Sequence, residues 1–247
     1  MTPSIRLLIT GIHGRMGQAV ANCAREDGRF QITGEIGSHD SFSTVLQKGD
    51  VTIDFTAPDA TLTFVEASAQ VNKPIIIGTT GHSETVRAAI TQYAHKIPIV
   101  LAPNFSVGVN TLFWLTRKAA EILGPEFDLE IVEMHHRHKK DAPSGTACRL
   151  AEILSEVRTL SVARAVRHGR QGMVGERPTA EIGMHALRGG DVVGDHTVLF
   201  ASEGERVELS HKASSRATFA RGSLRAAAWI LQQPPGLYDM QDVLHLR

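Results

Sequence analysis

The sequence predicts an α/β protein, with a doubly wound parallel sheet in its N-terminal part and an α+β part with a mixed, mostly antiparallel sheet behind it. Three observations carry that prediction. Short β-branched runs alternate with helical patterns early in the chain, as parallel strands joined by crossover helices require. A glycine-rich turn follows the first run directly. Late in the chain, three runs of loose period two follow one another without helices between them, which favours antiparallel neighbours.

Residues 5–10 form the first apolar run, and Gly11-Ile12-His13-Gly14-Arg15-Met16-Gly17 follows at once. Met16, Ala19, Val20, Cys23 and Ala24 then recur at helical spacing. Further runs at 30–36, 51–55, 74–78 and 98–102 read as strands. Between them, 58–71 and 83–95 read as helices, with Pro58 and Ser83 as start signals. The connection over 40–49 has room for about three helical turns at most. In the second part, 110–123 reads as a helix, 127–134 as a strand, and 144–157 as a helix through Leu150, Ile153, Leu154 and Val157. Residues 158–179 are polar, basic and glycine-containing, and predict a long mobile loop. Strands are expected over 180–187, 192–201 and 206–211, with Gly189-Gly190-Asp191 as a hairpin turn between the first two. A last helix over 218–232 stops before Pro234-Pro235-Gly236.

The 247 residues carry 26 Lys plus Arg against 26 Asp plus Glu, a formal net charge of zero. That balance argues against a broad nucleic-acid surface or a polybasic membrane binder. No stretch approaches the roughly 20 apolar residues of a membrane span. The run at 5–9 is short and broken by Arg6, unlike a signal peptide, so a reduced, cytoplasmic protein is expected. Cys23 and Cys148 lie far apart with no metal or redox spacing, and predict two buried thiols. No metal is expected.

Two segments carry chemistry. A strand running into Gly11-x-x-Gly14-x-x-Gly17 suits a Rossmann-like phosphate turn, in which the backbone approaches a pyrophosphate lying at a helix N-terminus. His13 stands where the usual pattern has its middle glycine. Coenzyme preference is read about twenty residues further on, at the end of the second strand. If that strand ends at Ile36, the reading position is Gly37, and Ser38, His39 and Arg15 are free to accept a 2′-phosphate. If Glu35 reaches the ribose instead, the preference turns to NAD. The second segment is His135-His136-Arg137-His138-Lys139-Lys140, six consecutive residues able to carry positive charge, with the compensating acids spread elsewhere. A solvated basic loop and a metal site are the plainer readings, although no ligand spacing accompanies the histidines. The sharper one is an anion site: Ser144-Gly145-Thr146 opens a helix whose N–H groups suit a carboxylate, while His136 or Lys139 grips its other end. Mutual repulsion within the block eases proton release near neutral pH. Together the two segments predict hydride transfer to an acidic small molecule.

These residues sit within an ordered series of motifs. Gly14-Arg15-Met16-Gly17, Asp54-Phe55-Thr56 and Gly78-Thr79-Thr80-Gly81 are followed by Asn104-Phe105-Ser106-Val107-Gly108-Val109-Asn110. Then come His135-His136-Arg137-His138-Lys139 with Asp141-Ala142-Pro143-Ser144-Gly145-Thr146, Gly190-Asp191-Val192-Val193-Gly194-Asp195-His196-Thr197, and His211-Lys212-Ala213-Ser214-Ser215-Arg216. In this order, along nearly the whole chain, they resemble the dihydrodipicolinate reductase family.

The resemblance implies that NADH or NADPH reduces a cyclic dicarboxylate, 4-hydroxy-tetrahydrodipicolinate, with loss of water. His135 and Lys139 match the family's acid/base and proton-donor positions. His136, Lys139, Ser144, Gly145 and Thr146 match its substrate contacts. Gly11, Ile12, His13, Gly14, Arg15, Met16, Gly78, Thr79, Thr80, Ala102, Pro103, Asn104 and Phe105 match coenzyme contacts, and Gly17, Gly37 and Ser38 are expected to line the same site. Asp54 reads equally as a strand-end turn or as a coenzyme contact. The resemblance also implies a dinucleotide-binding domain over 1–106 and 217–247, an inserted substrate-binding and oligomerisation domain over 107–216, and a homotetramer; hinges are expected near 104–109 and 214–217, where the chain would cross between the two. Two features depart from the family. Gly37-Ser38 stands where an acidic residue is common, and the connection after it is short. Another NAD(P)-dependent dehydrogenase of amino-acid metabolism, or an NAD(P)-sensing regulator, is the alternative.

Overall fold

Residues 4–37 and 40–246 are described by the computed structural model of the chain. They divide into two compact units, Met1–Val107 with Arg216–Arg247, and Gly108–Ser215.

In the first unit, β1 (Ile5–Thr10), β2 (Phe30–Ile36), β3 (Val51–Asp54), β4 (Ile75–Ile77) and β5 (Pro98–Leu101) run parallel. The all-isoleucine β4 is fully buried, as a strand covered on both faces must be. Helix α1 (Arg15–Glu26) buries Val20, Ala21, Cys23 and Ala24 against Leu7, Ile9 and Ile53. The connection after β2 is shorter than a normal crossover: one helical turn, α2 (Phe42–Val45), and a 3-10 turn, Leu46–Lys48. Phe42 and Leu46 seal it onto Leu8 and Ile36. Helices α3 (Pro58–Gln70) and α4 (Glu84–Tyr93) begin where expected; Pro58 takes the first helical position, and the Ser83 hydroxyl accepts the Val86 N–H at 3.3 Å.

The second unit starts with α5 (Val107–Leu123), one turn earlier than the spacing predicts, followed by β6 (Asp128–His135) and α6 (Gly145–Arg158). Along β6 burial alternates strictly, so Leu129, Ile131, Glu133 and His135 share the inner face. Then follow α7 (Val162–Ala165), β7 (Val166–His168), β8 (Ile182–Arg188), β9 (Gly194–Ser202) and β10 (Glu205–Ala213). The sheet order is β10-β9-β6-β8-β7, antiparallel across β10-β9-β6 and parallel across β6-β8-β7. Helices α5 and α6 supply Leu112, Phe113, Leu150 and Leu154 to its core.

Three expectations need correction here. Strands β8 and β9 form no hairpin, because β6 lies between them. Their connection instead wraps the end of β6: the Gly189 N–H donates to the His135 carbonyl, and the His136 N–H to that of Val192. The segment predicted as a long mobile loop contains α7 and the paired edge strand β7. Its later part is tied down by arginines, Arg170 reaching Glu130 at 2.6 Å and Arg177 reaching Asp128 at 2.6 Å and Glu130 at 3.1 Å. Burial would raise the Glu130 pKa, but bonds from Arg170, His185 and Arg177 outweigh it and hold the carboxyl at about 2. Lastly, Cys23 is buried but Cys148 is exposed on α6.

The chain then returns to the first unit with α8 (Ala217–Ile230), whose Ala220, Leu224, Ala227 and Ile230 complete its core. A short strand unforeseen in the sequence, β11 (Gly236–Tyr238), adds beside β5, and α9 (Met240–Val243) closes with an Asp239–Asp242 capping box. The six-stranded order is β11-β5-β4-β3-β1-β2, reversing at β1, which opens a crevice at the strands' carboxyl ends. Among the described residues, no helix is long and apolar enough to cross a membrane.

Candidate functional site

In the first unit the candidate coenzyme residues lie in loops at the carboxyl ends of neighbouring strands. Gly11 adopts φ +72°, and a Cβ there would stand 2.8 Å from the Phe55 carbonyl oxygen. A Cβ at Gly17 would stand 2.2 Å from the Gly11 oxygen, so only glycine lets α1 start this close to β1. Gly14 caps α1 without a side-chain hydrogen bond, leaving its first turn suited to an anion. These features fit a dinucleotide pyrophosphate.

Asp54 takes on a defined role. Its carboxylate is fully buried and accepts hydroxyls from Thr10 (2.8 Å), Thr56 (2.6 Å), Thr61 (2.8 Å) and Thr79 (3.2 Å), plus the Thr56 N–H at 3.0 Å. It ties together the ends of β1 and β3, the start of α3 and the loop after β4. Thr79 therefore turns inward, while Thr80 is exposed. Gly78 sits directly on the Phe55 ring, where a Cβ would come within 2.0 Å of Cε1. Ala102 and Phe105 are buried, Pro103 is exposed, and the Asn104 side chain accepts the Ser106 N–H at 2.8 Å.

At the end of β2, Glu35 is ion-paired with Arg25 on α1. The carboxylate at the strand end belongs to Asp40, whose Oδ2 accepts the Gly37 N–H at 2.7 Å. The His13 ring lies against Gly37, and a cavity of about 420 Å³ is lined by Ile12, His13, Gln18, Arg25, Glu35 and Asp40. Ser38 lies outside the described residues. Asp40, three residues beyond Gly37, thus supplies a carboxylate where spacing alone gave no acid.

The second unit assembles the cationic block around buried acid. Glu133 and His135 point inward together because they are two apart on β6, and His196 stands opposite Glu133 in the β9 register. The His135 Nδ1 lies 2.6 Å from Glu133 Oε2. The other Glu133 oxygen accepts the Ser144 N–H at 3.0 Å. From the end of β8, Arg188 donates to both Glu133 oxygens, at 2.8 and 2.9 Å. Burial works to raise the Glu133 pKa, but these bonds prevail and hold the carboxyl below its usual range. It is therefore ionised at neutral pH.

Ser144 caps α6, accepting the Ala147 N–H at 3.2 Å, and its hydroxyl lies 2.9 Å from His196 Nε2. The His135 and His196 rings meet edge to face at 5.1 Å. Burial, and then the neighbouring His135, press the His196 pKa down to about 3, so it is neutral. Gly145 and Thr146 form the first turn beyond the cap, with open space in front of Gly145. Lys139 reaches both Asp141 oxygens at 2.9 Å. The block is thus not a bare run of positive charge. Glu133 lies beneath His135 and Asp141 beside Lys139, which corrects the expectation that the compensating acids are remote. Arg137, His138 and Lys140 are exposed, and His136 is half-buried. Among the described residues no group of three or more His, Cys, Asp or Glu is arranged to hold a metal ion.

Sequence reading missed Glu133, Arg188 and the function of Asp141 and His196 as partners. The Glu133-x-His135 spacing on a strand was a usable signal, since period two places both on one face. Arg188, 55 residues from Glu133, carried none.

A Rossmann-type parallel sheet followed by a second unit with a mixed sheet is the architecture of an NAD(P)-dependent oxidoreductase of the two-unit α/β class. The family model "Dihydrodipicolinate reductase, N-terminus" matches residues 5–105 and "Dihydrodipicolinate reductase, C-terminus" matches residues 108–244. The chain belongs to the dihydrodipicolinate reductase family. A 4-hydroxy-tetrahydrodipicolinate reductase of Akkermansia muciniphila is 55% identical over 242 residues, 98% of each chain. One from Anaeromyxobacter dehalogenans is 44% identical, again over 98% of each. Among solved structures, dipicolinate-bound dihydrodipicolinate reductase from Paenisporosarcina sp. TG-14 superposes with a TM-score of 0.79 at 25% identity, covering 97% of this chain and 99% of that one.

Proposed function

We propose that this chain is a 4-hydroxy-tetrahydrodipicolinate reductase, using NADH or NADPH to convert 4-hydroxy-tetrahydrodipicolinate to tetrahydrodipicolinate with loss of water, on the diaminopimelate route to lysine. The observation that carries this reading is His135 seated on buried, ionised Glu133 beside the α6 N-terminus, with Lys139 in the same loop. Full-length identity to reductases of that name supports it.

The residues that would hold the dinucleotide are Gly11 to Gly17, Gly37, and the backbone at Gly78 to Thr80 and Ala102 to Phe105. Bound there, it supplies the hydride. The rest falls to the second unit. The N–H groups of Gly145 and Thr146, with His136, hold one carboxylate of the substrate. Lys139 exchanges its Asp141 partner for substrate; the Asp141 side chain is 63% exposed and is hydrated when Lys139 turns away. His135 and Lys139 then carry the proton to the ring carbon next to the one that receives hydride.

Asp40 favours NADH over NADPH, because its carboxylate at the end of β2 would repel a 2′-phosphate. A homotetramer assembled through the outer face of the second unit's sheet is part of this reading. That face carries Val132 and Met134 of β6 with Leu199 of β9, all only half-buried in the single chain. A cytoplasmic location completes it. The test is a coupled assay with freshly generated hydroxy-tetrahydrodipicolinate, run with NADH and NADPH in parallel and followed as falling absorbance. Consumption of neither coenzyme removes the proposal. Light scattering on the purified protein checks the tetramer, and a monomeric mass removes that part.

A further inference from the structure

Beneath the two residues assigned to proton transfer lies a layer of buried charge that the reaction, as described, does not use. Glu133 is completely shielded from solvent, and its oxygens face donors on every side: His135 Nδ1, the Ser144 N–H and both terminal nitrogens of Arg188. The Arg188 nitrogen Nη2 makes a second bond, to the Asp141 carbonyl oxygen at 2.6 Å. Asp141 is the residue whose carboxylate holds Lys139. One guanidinium from β8 therefore reaches the carboxylate under His135 and the backbone that carries the Lys139 partner.

The chemistry of the groups fixes the proton. An ionised carboxylate accepts hydrogen bonds and cannot donate them. At 2.6 Å from Glu133, Nδ1 of His135 must therefore carry a hydrogen, which leaves Nε2 as the nitrogen that gives or takes a proton on the substrate side. Gly194 lies against that nitrogen: a Cβ there would stand 2.9 Å from Nε2, so the absence of a side chain keeps this edge of the ring open. Arg188 has a geometric task as well, since its planar fork meets both carboxylate oxygens and still spans to the Asp141 carbonyl.

We infer that Glu133 and Arg188 are positioning residues for the reduction: Glu133 sets the His135 tautomer, and Arg188 locks that carboxylate to the loop that carries Lys139. The inference rests on the reading of His135 and Lys139 as the proton-transfer groups. It goes beyond charge balance, because a merely structural ion pair would leave the His135 tautomer and the balance between kcat and KM untouched.

The experiment combines a spectrum with kinetics on the full chain. In protein labelled with 15N-histidine, two-bond 1H–15N correlations report which imidazole nitrogen bears the proton. The wild type should show His135 protonated at Nδ1, and Glu133→Gln should redistribute that proton. With hydroxy-tetrahydrodipicolinate as substrate, Glu133→Gln should lower kcat by about 10²- to 10⁴-fold, the range that general acid–base catalysis contributes, while KM and the NADH dissociation constant change little. Arg188→Lys, which keeps the charge but not the fork, should recover part of the kcat lost in Arg188→Gln. Wild-type His135 carrying its proton on Nε2 overturns the inference. So does a folded Glu133→Gln that keeps kcat within about threefold, or equal kcat in the two Arg188 variants. Should Glu133→Gln fail to fold, the wild-type spectrum and the Arg188 pair decide. His135→Ala separates the two levels: full turnover there overturns the proton-transfer reading itself, whereas loss there with Glu133→Gln intact overturns this inference alone.

Discussion

Acid should begin to loosen the second unit through His196 from about pH 6.5 downward. Its imidazole is 3% exposed, and burial, then the nearby His135, bring its pKa from 6.5 down to about 3. The folded protein thus refuses a proton that the unfolded chain accepts near 6.5. Stability is then lost as the pH falls below 6.5, and the loss keeps growing until about pH 3. At 1.36 kcal/mol per unit, the whole gap is worth about 4–5 kcal/mol, of which about 2 kcal/mol has gone by pH 5. Glu130, held at about 2, adds its own loss only below the ordinary carboxylate value of 4.5, and so not between pH 6.5 and pH 5. His211 is also lowered by burial, and because it is present in wild type and variant alike its own loss is largely common to both. The perturbation is His196→Gln, whose amide can still meet the Ser144 hydroxyl but does not titrate. Urea titrations at about pH 7.5 and pH 5, read by hydrogen exchange of β6 and β9 peptides, report this unit separately. Wild type should lose about 2 kcal/mol more than the variant between the two conditions. Parallel losses, or a His196 ring resonance titrating near pH 6, would refute the reasoning.

Three further outcomes follow from the same geometry. Lys139→Ala should reduce kcat by at least about 10²-fold with the NADH dissociation constant nearly unchanged; a parallel collapse of coenzyme affinity points to misfolding instead. Gly17→Ala places a methyl 2.2 Å from the Gly11 oxygen, so it should cost about 1–3 kcal/mol in thermal or urea stability and weaken NADH binding; neither effect appearing would contradict the close approach of α1 to β1. Asp40→Ala should raise the NADPH to NADH ratio of kcat/KM by about tenfold, about 1.4 kcal/mol of removed repulsion, and an unchanged ratio dismisses Asp40 as the determinant.

What the sequence disclosed depended on how local the signal was. The parallel strands and the glycine turn were legible because burial on both faces and a close helix start leave marks within a few residues, as Ile75–Ile77 and Gly11 to Gly17 do. The cationic block was visible for the same reason. Its neutralisation was not, because Arg188 meets Glu133 only after the chain has turned through α6, α7 and β7. The missed position of β9 has a similar cause. Gly189-Gly190 looks like a hairpin locally, but β6 already presented a free edge for β9, and the glycines serve to pass around its end. Asp40 escaped because it lies four residues beyond the last residue of β2 and returns to Gly37 only through its side chain. The arginines of 158–179 looked solvated because their partners, Asp128 and Glu130, lie far back in the chain.

The first unit is built from two separate stretches, and this has a consequence at synthesis. Residues 108–215 are contiguous, so everything the second unit needs has been synthesised before α8 begins. The six-stranded sheet must wait, since Leu224, Ala227 and Ile230 of α8 fill its core and β11 supplies its last strand. The later-made unit is therefore the earlier to finish, and the nucleotide loop, although translated first, matures last. A released fragment of residues 1–215 should show β6 and β9 protected from protease while α1 and β1 are still cut. Equal protection of both would contradict that order.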